Sequence, residues 1–200
     1  MFVQIITAKV VDAEGLERQV DQWDTEIRPG AEGFLGSTSG VTDDGHLLVL
    51  VRFESEEAAQ RNSTRPEQEA WWTETAKTLQ DVRFQNGTKV ITTRGGGSND
   101  AGFVQVMRGR VLNTEKMNEL ILHMSEFEAA MAVHRPDVLG DVTVLHDDGT
   151  FTDAIYFTSE AEARENEGKE PPPEMQAMFE EWMRAATVDE YIDLIQPRLV

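Results

Sequence analysis

The residues of this chain best placed to do chemistry are polar groups set inside apolar runs. Gln4 interrupts Phe2-Val3-Gln4-Ile5, and Gln105 interrupts Phe103-Val104-Gln105-Val106. A primary amide buried in a strand must find a hydrogen-bond partner. Each glutamine therefore either bonds across a seam between two halves of the molecule or faces a ligand. Arg108 and Arg110 fall two apart in a strand-like run, on one face. They either hold an anionic ligand group or pair with carboxylates at the rim. Trp72, beside Trp71, is a core residue or a flat apolar wall over a ligand. Asn62 ends a helix, where asparagine serves as a cap or as a hydrogen-bonding group for substrate.

Other chemistries lack their equipment. The chain has no cysteine, which excludes disulfides and thiolate nucleophiles. It has no Gly-x-Ser-x-Gly and no phosphate loop. His46, His123, His134 and His146 are scattered, and no metal set is expected from them. His123, among apolar helix residues, is the one expected to be partly buried. No cofactor is expected. With 37 acidic residues, no carboxylate pair stands out as an acid–base couple, and no catalytic residue is identified.

The formal net charge of −19 argues against nucleic acid, which needs a basic face, and against anionic membranes. No run approaches the apolar length of a membrane span. Met1-Phe2-Val3-Gln4 has neither the basic nor the apolar stretch of a secretion signal, so a cytoplasmic location is expected.

These residues lie on elements that occur twice. Leu35-Gly36, Asp43-Asp44-Gly45, Phe53, Ser55, Glu56, Ala59 and Asn62 recur 104 positions later as Leu139-Gly140, Asp147-Asp148-Gly149, Phe157, Ser159, Glu160, Ala163 and Asn166. That is ten identities in 28 ungapped positions, where average residue usage gives about two by chance. The first strands match at an offset of 101, and Pro66, Glu67, Ala70 and Glu74 match Pro173, Glu174, Ala177 and Glu181 at 107. The chain is a tandem duplication. The expected domains are 1–94 and 102–200, with 95–101 as a glycine-rich linker.

Both copies read alike. Residues 2–11 and 103–112 are β-rich. Residues 13–28 carry Leu16, Val20, Trp23 and Ile27 at helical spacing, and one helix is likewise expected from Thr114. Arg28-Pro29 and Arg135-Pro136 end these helices. Asp-Asp-Gly predicts hairpins pairing 34–42 with 46–54 and 138–146 with 150–158. Ser55 and Ser159 are expected N-caps of helices that break near Pro66 and Pro171-Pro172-Pro173. Last strands are expected at 82–92 and 190–196. The class is α+β: two tandem ferredoxin-like βαββαβ repeats. Each leaves one sheet face bare, so burial of the two faces against each other, as an intramolecular dimeric α+β barrel, is expected. Further association of chains is left open.

The run Phe53-Glu54-Ser55-Glu56-Glu57-Ala58-Ala59, with Asn62, Arg65-Pro66-Glu67-Gln68 and Trp71-Trp72, resembles the antibiotic-biosynthesis-monooxygenase-like proteins of the dimeric α+β barrel superfamily, in a two-domain form. The resemblance covers nearly the whole chain. It implies a barrel cavity holding a small aromatic or polyketide-like compound, oxidised without metal or flavin. The alternative is a non-catalytic ligand-binding or protein-interaction module of the same fold. By residue type and place, Gln4, Asn62, Trp72, Gln105 and Arg108 are the substrate-binding candidates for such a cavity. Haem-degrading relatives carry an asparagine on the first strand and a histidine on the second helix. Here the strands carry Gln4 and Gln105, and the stretches 65–79 and 173–186 hold no histidine.

Overall fold

A computed structural model of the chain describes residues 1–87 and 89–200, with every side chain among them except that of Glu174. The first repeat runs β1 (Phe2–Val10), α1 (Ala13–Gln22), β2 (Phe34–Val41), β3 (His46–Phe53), α2 (Glu56–Ser63), α3 (Pro66–Thr75) and β4 (Leu79–Gly87), followed by β5 (Lys89–Thr93). The second runs β6 (Phe103–Val111), α4 (Thr114–Leu122), α5 (Met124–His134), β7 (Val138–Leu145), β8 (Thr150–Phe157), α6 (Glu160–Glu167), α7 (Pro173–Ala185) and β9 (Ala186–Ile195), followed by β10 (Arg198–Leu199). Each repeat is thus the expected βαββαβ layout with one strand appended.

Local chemistry explains the boundaries. The Ser55 hydroxyl accepts from the Ala58 N–H at 3.2 Å and that of Ser159 from the Glu162 N–H at 3.3 Å, so both serines cap their helices. Asp12 and Asn113 cap α1 and α4 in the same way, through Gly15 N–H at 2.9 Å and Lys116 N–H at 3.0 Å. Gly45 and Gly149 take positive φ in the two hairpin turns, where an L side chain would be strained.

The sheets have the orders β10-β2-β3-β1-β4 and β5-β7-β8-β6-β9. The expected single strand over 82–92 is therefore two strands in different sheets. β4 pairs with β1, while β5 pairs with β7 from Lys89↔Leu145 to Thr93↔Asp141. Reciprocally, the first sheet takes its outer edge from the C-terminal residues. The Ser37 N–H donates to the Val200 carbonyl at 2.9 Å, and the Val200 N–H donates to the Ser37 carbonyl at 3.0 Å. The compact units accordingly comprise residues 1–88 with Val200, and 89–199.

Two helices also differ from expectation. The helix read over 13–28 ends at Gln22 and continues as a π turn, Trp23–Ile27, and a 3₁₀ turn, Arg28–Gly30. The stretch from Thr114 is two helices broken at His123, which lies outside the helical region and is exposed. Instead it is His146 that is buried, 3.2 Å from the Thr152 hydroxyl.

One side of each sheet faces helices. In the first unit, Ala8, Leu16, Leu47 and Leu79 form one cluster and Phe2, Phe53 and Ala58 another. In the second, Met117, Leu145, Phe151, Ala185 and Ala186 form one, and Phe103, Val138, Phe157 and Ala163 the other. The alternate strand positions, such as Val3, Ile5, Leu48 and Leu50, or Val104, Val106, Val142 and Ala154, occupy the helix-free faces. No helix among the described residues is long and apolar enough to cross a membrane.

Close approach at Gly109, where β6 shifts register against β9, gives a first prediction. A β-carbon there would lie 1.9 Å from the Thr187 carbonyl oxygen and 2.8 Å from the Phe151 ring. Backbone on one side and a core ring on the other leave no cheap relief. Gly109→Ala is expected to destabilise by about 1–3 kcal/mol, read as a lower midpoint in urea with unchanged slope.

Candidate functional site

The helix-facing side of the second sheet changes character along its strands. The clusters at both ends are buried and apolar. Between them, register aligns Ile91, Thr143, Asp153, Met107 and Tyr191 in one row across all five strands. The next row is Thr93, Asp141, Ile155, Gln105 and Asp193. Thr143, Asp153, Met107, Asp141 and Ile155 are only half-buried. The middle of this face is therefore half-buried, and three carboxylates stand in it, Asp153, Asp141 and, held by Arg164, Asp193.

The helix above it is α5. Met124, Phe127, Glu128 and Met131 recur at helical spacing and are half-buried. No residue of this helix is fully buried, although its composition is largely apolar. It covers the sheet without packing tightly onto it. Met131 and Ile155 border the Phe103 cluster, and Met107 and Ile91 border the Phe151 cluster. These side chains give the acids an apolar frame.

Electrostatics follow from that frame. Asp153 accepts a hydrogen bond from the Thr143 hydroxyl at 3.1 Å. Burial, reinforced by the negative charge of Asp141, outweighs this bond and pushes its carboxyl up to about 8. Asp141 is raised too, chiefly by burial and also by the charge of Glu128, while a hydrogen bond from the Thr93 hydroxyl opposes the rise. Near neutral pH the pair retains a proton that isolated aspartates would have lost. Such a couple can accept a proton from a bound ligand or return one, and its affinity lies close to working pH. Among the described residues no three His, Asp or Glu side chains converge as a metal set.

Gln105 lies in the second of these rows. Its Nε2 donates to Asp193 at 3.0 Å, and Asp193 is also gripped by Arg164 of α6. That fixes the amide so that its oxygen is left as an acceptor. Arg108, three residues on, belongs to the opposite, helix-free face and pairs with Glu190 at 3.6 Å. Gln105 and Arg108 are thus separated by the sheet itself.

The remaining predicted residues belong to the first unit. Gln4 faces the helices and donates to Asn86 at 3.1 Å. Asn62 is buried and accepts from Arg65 at 2.9 Å, while Arg65 also caps the Ile27 carbonyl at 3.2 Å. Trp72 borders the Leu16 cluster, with Phe84 edge-on at 5.3 Å. It ends a string of rings that continues through Trp71, Trp23, Phe34 and Phe53. The positions equivalent to Asp141, Thr143 and Asp153 are Ser37, Ser39 and Val49. The ionisable pair exists in the second repeat alone.

Sequence reasoning missed that pair. The available signal was parity: Phe151, Asp153, Ile155 and Phe157 alternate on one strand face, so an acid stands where its neighbours are core.

No family model matches the sequence, and no curated protein matches it. Solved structures do. A monooxygenase-like protein from Lactobacillus acidophilus aligns over 100% of this chain and 99% of its own, with a TM-score of 0.70 and 11% identity. One from Fusobacterium nucleatum aligns over 99% and 93%, with a TM-score of 0.73 and 7% identity. An anthrone oxidase-like protein aligns over 100% and 92%, with a TM-score of 0.64 and 9% identity. At such identities the likeness is one of fold. The chain has the tandem two-repeat α+β fold of monooxygenase-like proteins, which is the fold its resemblance to antibiotic-biosynthesis monooxygenases implies.

Proposed function

We propose that the second unit binds a small, flat, electron-rich aromatic compound between α5 and its sheet, and promotes its oxidation by O₂ without a cofactor. One observation carries this reading. Two neighbouring carboxylates, Asp141 and Asp153, stand in the half-buried middle of the helix-facing side, flanked by Met107, Ile155 and Ile91. The fold shared with an anthrone oxidase-like protein supports the same direction.

The chemistry asked of the chain is modest. An anthrone-type substrate loses a proton from its ring CH₂ to the Asp141–Asp153 pair. The resulting carbanion passes electrons to O₂ and forms a C–O bond. Loss of water from the hydroperoxide leaves a carbonyl, so CH₂ and O₂ become C=O and H₂O. The oxygen of Gln105 accepts a hydrogen bond from a phenolic hydroxyl and orients the ring. Met107, Ile155, Met131 and Phe127 exclude water, which strengthens both interactions.

Oxygen uptake with a panel of anthrones and quinols tests the proposal. Consumption above the buffer rate, with one carbonyl product per O₂, is expected for at least one of them. No uptake with any would end the catalytic reading. Binding without turnover would then be the better account, and the first unit, with aromatic rings and no acid in the same rows, favours it for that half. A melting-point rise with the same compounds would measure it.

A further inference from the structure

Thr143 stands between the two acids of the second unit. It faces Asp153 directly across β7 and β8, and it lies two residues from Asp141 on the same face of β7. Its hydroxyl is 3.1 Å from Asp153 and also hydrogen-bonds Asp141. Among the described residues it is the hydrogen-bond partner of the Asp153 side chain. Asp141 has a second donor, the hydroxyl of Thr93, its register partner on β5. Other ionisable groups on the surrounding elements are Glu128 of α5, bonded to the Arg94 N–H, Asp193 of β9, held by Arg164 of α6 and by Gln105, and Tyr191 at the exposed end of the Asp153 row. In the first repeat the counterpart of Thr143 is Ser39, which faces Val49 and shares its strand face with Ser37, so that hydroxyl has no acids to join.

A hydroxyl between two carboxyls can do what a fixed donor cannot. It donates one hydrogen bond and accepts others. It can therefore take a proton from one acid while passing its own to the other. Burial and the charge of Asp141 keep Asp153 protonated up to about pH 8. A protonated Asp153 can take a proton from substrate only if the one it holds moves on. Thr143 is the polar group placed to carry it.

We propose that Thr143 is the positioning residue of the acid pair: its hydroxyl relays a proton from Asp153 to Asp141 while Asp153 takes one from the ring CH₂. The relay rests on the oxidation proposed above; the bridge between the acids does not. In this step the substrate C–H bond breaks and its proton joins the free oxygen of Asp153. The proton already on Asp153 moves to Oγ of Thr143, and the hydroxyl proton of Thr143 moves to Asp141. The negative charge passes from Asp141 to the carbanion.

Carboxyl-carbon NMR titration of Asp141 and Asp153 in the full chain tests the bridge without substrate. Thr143→Val removes the hydroxyl and Thr143→Ser keeps it. In Thr143→Val both carboxyls should titrate at higher pH than in wild type, because each loses a hydrogen bond to its charged form. In Thr143→Ser both should titrate as in wild type. A shift of one acid alone, or of neither, would overturn the bridge. Oxygen uptake then reads the relay. In Thr143→Val, turnover near neutral pH should fall about tenfold or more, since an acid that titrates at about 8 is only about one-tenth ionised one pH unit below. Turnover should recover as pH rises through the new titration of Asp153, and Thr143→Ser should keep the wild-type profile. A Thr143→Val profile that overlays wild type would overturn the relay. Uptake absent from all three proteins, with both carboxyls shifted in Thr143→Val, would overturn the oxidation and the relay that serves it while supporting the bridge.

Discussion

Asp153→Asn is expected to lower O₂-dependent turnover by about 10²–10⁴-fold, the usual contribution of a general base, while making the protein more stable in alkali. Asparagine keeps an oxygen for the Thr143 hydroxyl but cannot take a proton. The stability change has a definite sign. An unfolded aspartate titrates near 3.9, and the folded side chain titrates at about 8. The native state therefore binds the proton more tightly. Its stabilising effect is complete below about pH 4 and is lost as pH rises through about 8. Over that window, wild-type stability falls with pH by at most about 1.4 kcal/mol per unit, and partial exposure of Asp153 makes the slope shallower. The asparagine variant lacks this slope. Its melting temperature should match wild type near pH 4 and exceed it near pH 9. Parallel melting curves from pH 5 to pH 9 would show that Asp153 titrates normally and would remove the proposed base.

Asp141 offers a control that separates positioning from bulk stability. Its charge is the second cause of the rise at Asp153, after burial. In Asp141→Asn, Asp153 should titrate lower, and the alkaline limb of the turnover profile should move to lower pH. A merely structural role for Asp141 would change the amount of folded protein and leave the position of that limb alone. Activity at functional sites commonly comes with such a local loss of stability.

Much of this architecture is written locally. Asp43-Asp44-Gly45 and Asp147-Asp148-Gly149 turn where the backbone needs positive φ, and Ser55 and Ser159 cap helices through their own hydroxyls. Such signals survive without tertiary context. His123 misleads because apolar neighbours imply burial only while the helix continues, and it breaks at that residue. The strand read over 82–92 misleads for another reason. Both of its halves are good strands, and nothing in their composition tells which sheet each joins. Asp141 and Asp153 stayed hidden among 37 acids. Only pairing register brings residues twelve apart in sequence to one patch. Of the residues offered for a site, Gln105 shares the carboxylate rows, while Arg108 does not, because alternation along a strand puts neighbours on opposite faces.

A chain cut once in the exposed Asn99-Asp100 stretch is expected to stay in one piece under native conditions. The reason is the reciprocal lending of edge strands. β5 is covalently part of the fragment ending at Asn99, yet it completes the sheet made by the fragment beginning at Asp100. Val200 belongs to the later fragment and closes the edge of the earlier one through two hydrogen bonds to Ser37. Separating the fragments would strip β7 and β2 of an outer neighbour each and leave rows of unpaired N–H and C=O groups. The nicked protein should therefore elute from a sizing column as the intact chain does, and split only in denaturant. Each fragment produced alone should aggregate or remain unfolded, and mixing the two should recover the native protein. Pro substitution at Ile91, which faces Thr143, should weaken retention of the nicked fragments by removing a backbone donor and fixing φ. Two well-folded, soluble fragments that part freely after the cut would contradict the strand exchange, since neither could then depend on the other for an edge.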